Sequence, residues 1–192
     1  MKLTEHRSIL LWVVLTAVMI ATRFHHFGTA LNLPDASMAV FFLGGLGLRR
    51  HLGFAWFMVL AVVLDWISVS LAGVSDFCVT PAYSFLLLAY AVLWYAGRAY
   101  AGLLKPTVAS VAGALGVGLV AASVSFAISN GSFYWLGGRY PDPHFTEYVS
   151  RLWKWGPLFV RTTMTYLAVA LIGYGLVARW FANREQTEGA RR

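Results

Sequence analysis

The chain alternates long apolar runs with short clusters of charge. Stretches almost free of charged residues cover positions 8–22, 24–48, 52–75, 77–97, 106–138 and 155–178, broken only by Asp35, Asp65 and Arg161. A helix crossing the hydrocarbon core of a bilayer needs about 20 mainly apolar residues, with shorter and tilted variants tolerated. The pattern therefore predicts an all-α integral membrane protein of six transmembrane helices, roughly Ser8 to Thr22, Leu33 to Leu48, Phe54 to Ala72, Pro81 to Gly102, Thr107 to Ser129 and Trp155 to Phe181. The second is short, and Gly44, Gly45 and Gly47 allow either close helix contact or local unwinding there. The first has the basic flanks of a signal peptide, but Met19 spoils a small-x-small cleavage pattern ending at Ala21, so a retained helix is expected. Residues 1–182 then form one membrane domain, and residues 183–192 a polar, mobile cytoplasmic tail.

Composition agrees with this pattern: 59% of residues are hydrophobic and 12% charged, which is not the balance of a soluble domain. The net charge of +7 is explained by where the basic residues fall, with no need for nucleic acid. With a cytoplasmic amino terminus, Lys2, Arg7, Arg49, Arg50, Arg98, Lys105, Arg179, Arg184, Arg191 and Arg192 lie inside, whereas Arg23, Arg139, Arg151 and Lys154 lie outside. That bias follows the positive-inside rule and puts both termini in the cytoplasm. The long connection from Asn130 to Lys154 is then external. It is rich in aromatic residues interleaved with Gly137, Gly138, Pro141 and Pro143, so it is expected to be a lid over a site, an interfacial aromatic belt, or both.

Small residues four apart recur at Ala17 and Ala21, Ala109 and Gly113, and Gly118 and Ala122. Each pair shares a helix face on which another backbone can approach. Internal packing is the ordinary use of such pairs, and a docking surface is the other.

Four groups of residues bear on chemistry. Cys78 is the single cysteine, so its uses narrow to packing, nucleophilic attack or ligation of a soft metal. It precedes Thr80 and Pro81, which read as the N-cap and first residue of the fourth helix, whose positive end favours thiolate. Asp65 is buried about 10 Å below the outer end of its helix at 1.5 Å per residue, with Arg161 at a matching depth on the last helix. The two either neutralise each other or line a polar cavity that opens outward. His25, His26 and His144 lie on the outer side without HExxH or CxxC spacing and read as interfacial residues. No GxxxxGK[ST] motif is present, so active transport would need a partner or another energy source.

The stretch LDWISVSLAGVSDFCVTPAYSF, with its single cysteine, together with Ala17-x-x-x-Ala21 and six short helices, resembles the substrate-binding S-components of energy-coupling factor (ECF) transporters. Within them it is most similar to the solitary vitamin B12 uptake family called BtuM, and the resemblance covers almost the whole chain. It implies an S-component-like bundle in the inner membrane of a bacterium, with cobalamin as the transported, cobalt-containing ligand. It further implies that Cys78 is an axial ligand to cobalt, and that Ala17 and Ala21 face a shared coupling subunit where one is recruited. Ligation that displaces the upper ligand would let Cys78 promote decyanation of cyanocobalamin. Around the cobalt, Asp65, Tyr83 and Arg151 are the expected polar contacts to the corrin amides or ordering groups for the loops, and Phe77 and the aromatic loop the expected cover for the apolar faces. Two other classes compete: a membrane thiol enzyme like an exosortase transpeptidase, with Cys78 as nucleophile beside His144 and Arg139 or Arg151, and a small assembly subunit without a ligand.

Overall fold

A computed structural model of the chain describes residues 2–23, 33–48, 51–71 and 75–189. Among these the regular structure is entirely helical: α1 (Lys2–Arg23), α2 (Ser37–Gly47), α3 (His51–Ser70), α4 (Leu86–Tyr100), α5 (Val108–Leu136) and α6 (Phe145–Gly189), with short 3-10 turns at Asp76–Cys78 and Pro81–Phe85. Four helices, α1, α3, α5 and α6, are long and apolar enough to cross a membrane. The other two are shorter than the pattern predicts. The 15 residues of α4 span about 22 Å at 1.5 Å per residue. The preceding 3-10 turn adds about 10 Å, which brings the continuous helical run close to the thickness of a hydrocarbon core. The 11 residues of α2 reach only about 16 Å.

α2 is short because it lies inside the bundle. Val40, Phe41, Phe42 and Leu46 are all buried, so the helix is apolar around its circumference. Its closest neighbour is α4, and glycine sets the approach: a Cβ on Gly45 would collide with the backbone carbonyl of Trp94, and one on Gly97 with that of Phe42. The glycine cluster therefore serves close contact, and α2 stays helical through it. Phe41 stacks on Tyr90 at 4.2 Å between centroids, and Trp94 packs over Gly44 and Gly53.

The remaining small pairs divide. Gly118 and Ala122 are buried, with Gly118 against Leu167 and Phe42, and Gly113 receives the Tyr100 ring. Ala17, Ala21 and Ala109 are exposed, so the α1 pair does not pack internally.

The expected long outer connection is mostly helix. α5 runs on to Leu136 and α6 begins at Phe145, so only residues 137–144 join them, turning at Gly138 with φ 67°. Tyr134 ties the two helix ends together: its hydroxyl donates to Glu147 at 2.9 Å and accepts from the His144 amide at 2.9 Å, while its ring packs on Tyr140 and Tyr148. At the opposite end of the molecule α6 continues to Gly189, so the polar run expected as a mobile tail from residue 183 is helical as far as it is described.

Candidate functional site

The C-terminal end of α1, the N-terminal end of α2, the C-terminal half of α3, residues 75–90, the C-terminal half of α5 and the N-terminal half of α6 converge at one end of the bundle. Between them lies a cavity of about 470 Å³, within the range of small-molecule sites. Val79, Leu86, Phe126, Phe133 and Phe159 form apolar walls. The deep end is polar.

Arg23 organises that deep end. Its side chain is 2% exposed, and a buried guanidinium must direct its donors to acceptors or carry a large desolvation cost. Nε and Nη2 donate to the two oxygens of Asp65 at 2.7 and 2.8 Å, the bidentate arrangement that makes arginine and carboxylate pairs strong. Nη1 donates to the hydroxyls of Ser37 at 2.7 Å and Tyr90 at 3.0 Å. Asp35 stands nearby, its Oδ2 3.7 Å from Nη1. Tyr83 completes the cluster by donating its hydroxyl to Asp65 Oδ2 at 2.6 Å. Four segments of chain are thereby fixed to one another beneath the cavity. Among the described residues two carboxylates face one guanidinium, a formal excess of one negative charge.

Asp65 is thus paired and cavity-lining at once, but its partner is Arg23 and not Arg161. The spacing of α6 explains the correction. Trp155, Phe159 and Thr163 recur every fourth residue and line the cavity, whereas Arg161, two residues from Phe159, falls on the far side of the helix and is exposed.

The mouth is built from the turn at residues 75–79 and the α5–α6 connection. Ser75 accepts the Phe77 amide at 3.2 Å and the Val79 amide closes onto the Asp76 carbonyl at 2.8 Å, which forms the 3-10 turn. Arg139 crosses from the connection to this turn, donating to the carbonyls of Phe77 at 3.1 Å and Asp76 at 3.3 Å while lying over the Phe77 ring. Phe77 in turn meets Phe133 edge to face at 5.4 Å. Arg151 donates to the Tyr140 hydroxyl and lies over that ring, leaving its Nε buried without a partner.

Asp65, Tyr83, Arg151 and Phe77, singled out from the sequence, therefore all line one cavity. Cys78 closes the turn that borders it, but the cysteine side chain lies outside the described residues, as do His25 and His26. Thr80 has the extended backbone of a cap residue and Pro81 opens the helical run, yet the Thr80 hydroxyl makes no cap bond and is buried without a partner. His144 is exposed, with Nδ1 at 3.2 Å from the Asp142 carbonyl and 3.9 Å from Glu147. No group of three metal-ligating side chains occurs among the described residues.

Several cavity residues escape a reading of the sequence. Arg23 ends an apolar run and counts as an external loop charge until the fold turns it inward. On α5, Ser125, Ser129 and Asn130 form a polar face toward the cavity. The four-residue spacing of Ser125 and Ser129 is the available signal, obscured by how often serine occurs in membrane helices. Comparison of the chain with protein families finds no family model that matches, and comparison with curated proteins finds no match.

Proposed function

We propose that this chain binds cobalamin and takes it up across the cytoplasmic membrane, as a six-span protein of the S-component type related to BtuM, with the cavity opening outward. The observation that carries this reading is the cavity itself: aromatic walls, a charged and hydrogen-bonded floor, and a border formed by the turn that bears Cys78. A corrin ring is a flat macrocycle with apolar faces and an amide-bearing rim, and such a molecule suits apolar walls with a few placed polar groups. The corrin fills four equatorial positions of cobalt and leaves axial sites open to a protein ligand. Thiolate is a soft choice for such a site. Exchange of the Cys78 thiolate for cyanide on cobalt(III) forms a cobalt–sulfur bond and releases the cyanide anion with no net electron transfer. Ala17 and Ala21, exposed one turn apart on α1, provide the face for a coupling subunit if one is recruited.

The test is spectroscopic. Purified protein supplied with cyanocobalamin and a reductant that keeps the thiol free should retain a red chromophore with shifted corrin bands and unfold at a higher temperature. Cys78→Ser should lose the spectral shift and most of the thermal gain. Equal affinity and identical spectra in the variant would remove the ligation claim. A colourless protein that forms a covalent adduct with a thiol-directed peptide would favour the transpeptidase class.

A further inference from the structure

Four groups around the cavity have hydrogen-bonding capacity that no described residue uses. Asp35 Oδ1 accepts from the amide and hydroxyl of Ser37 at 2.9 and 2.6 Å. Among the described residues no donor reaches its Oδ2: Arg23 Nη1 stands 3.7 Å away, beyond hydrogen-bond distance. Ser125, on the facing wall, is 2% exposed, lines the cavity, and makes no hydrogen bond among the described residues, although serine in a helix commonly bonds back to a carbonyl one turn earlier. Asn130 Oδ1, on the same helix as Ser125, and Arg151 Nε, on α6, are buried without partners among the described residues. Buried polar atoms are almost always satisfied. Asn130 Oδ1 and Arg151 Nε are two such atoms, and with the spare capacity of Asp35 Oδ2 and Ser125 around the same cavity they describe the ligand that would satisfy them.

That ligand must present N–H donors to Asp35 Oδ2 and Asn130 Oδ1, and a carbonyl acceptor to Arg151 Nε, with the Ser125 hydroxyl serving either role. A primary carboxamide offers both kinds of group and carries no charge. A carboxylate offers acceptors only, and it would enter a floor that already holds one excess negative charge. We propose that Asp35 and Ser125, with Asn130 and Arg151, form a subsite that reads primary carboxamides on the ligand and rejects carboxylates. The proposal rests on the cobalamin reading and deepens it: the cavity selects corrinoids with a fully amidated rim over those in which a rim amide is hydrolysed to the acid.

The experiment measures equilibrium binding of cyanocobalamin and of its monocarboxylate derivatives, one rim position at a time, to the purified full chain in detergent. At least one monocarboxylate should bind about tenfold more weakly than the parent, because a site built to hydrogen-bond a group rejects the analogue that leaves its polar atoms unpaired. Asp35→Asn keeps an oxygen for the Ser37 bonds and removes the floor's excess charge, so it should shrink that discrimination to about threefold or less. Ser125→Ala removes a hydroxyl with no partner among the described residues. It should leave the unfolding temperature of the free protein unchanged while weakening cyanocobalamin binding about threefold to tenfold. Equal binding of all the monocarboxylates by the native protein, or unchanged discrimination in Asp35→Asn, would overturn the subsite and leave the cobalamin reading standing. Failure to bind any corrinoid would overturn both.

Discussion

Replacing Arg23 with methionine removes the cation that faces both Asp35 and Asp65 and leaves a chain of similar length. The structure sets the size of the effect. Asp65 is 18% exposed and loses two charge-assisted hydrogen bonds of 2.7 and 2.8 Å, while Asp35 loses its nearest positive charge. Removing one partner of a buried pair costs about 3–5 kcal/mol, because the other charge stays behind uncompensated. For a domain of this size each kcal/mol lowers the midpoint of thermal unfolding by about 2–4 °C, so the expected loss is about 6–20 °C. Asp65→Asn in the Arg23→Met background removes the stranded charge and should recover a large part of that loss. The coupling between the two changes, read from a double-mutant cycle in one detergent, should be about 2–3 kcal/mol. Arg161→Met, at an exposed site on α6, should change stability by less than about 0.5 kcal/mol. A native-like midpoint for Arg23→Met, no recovery in the double variant, or an equal loss from Arg161→Met would refute this account of the cavity floor.

Tyr83→Phe deletes the 2.6 Å bond to the Asp65 carboxylate and should cost about 1.5–3 kcal/mol, checked by thermal unfolding of the ligand-free protein. Gly45→Ala should cost at least 1–3 kcal/mol, roughly the range for overpacking, because its methyl meets the Trp94 carbonyl on a neighbouring backbone and not a movable side chain. A variant as stable as the parent would mean that α2 and α4 lie farther apart than described. Arg139→Ala releases the turn at Asp76 and Phe77 from the α5–α6 connection. It should speed ligand dissociation several-fold in stopped-flow absorbance with little change in the unfolding midpoint, and an unchanged dissociation rate would show that this bridge does not hold the mouth closed.

The helical class and the long apolar helices were legible because charge, apart from Asp35, Asp65 and Arg161, gathers at the ends of apolar runs, a pattern that membrane-crossing helices require. The central place of α2 was partly legible: its shortness and three glycines pointed to close packing or unwinding, and only the meeting of Gly45 with Trp94 decides between them. The ends of α5 and α6 were misread. Glycine, proline and aromatic residues between 130 and 154 suggest a loop, but side-chain packing around Tyr134 stabilises helix on both sides of Gly138. Asp65 was legible as a special site because a carboxylate within an apolar run needs a partner. The identity of that partner was not. Depth along a helix suggested Arg161, whereas direction around the helix excludes it, and Arg23 could be found only once α1 and α3 were seen side by side.

The half-length of α2 also determines what lies beneath the cavity floor. Because the floor of the cavity is built at the N-terminal end of this helix, the helix itself runs on beneath it into the bundle. α2 is thus a largely buried plug about 16 Å long. If the chain transports its ligand as proposed, clearing a path would mean displacing α2 from its glycine contacts with α4, a single helix sliding out of a groove.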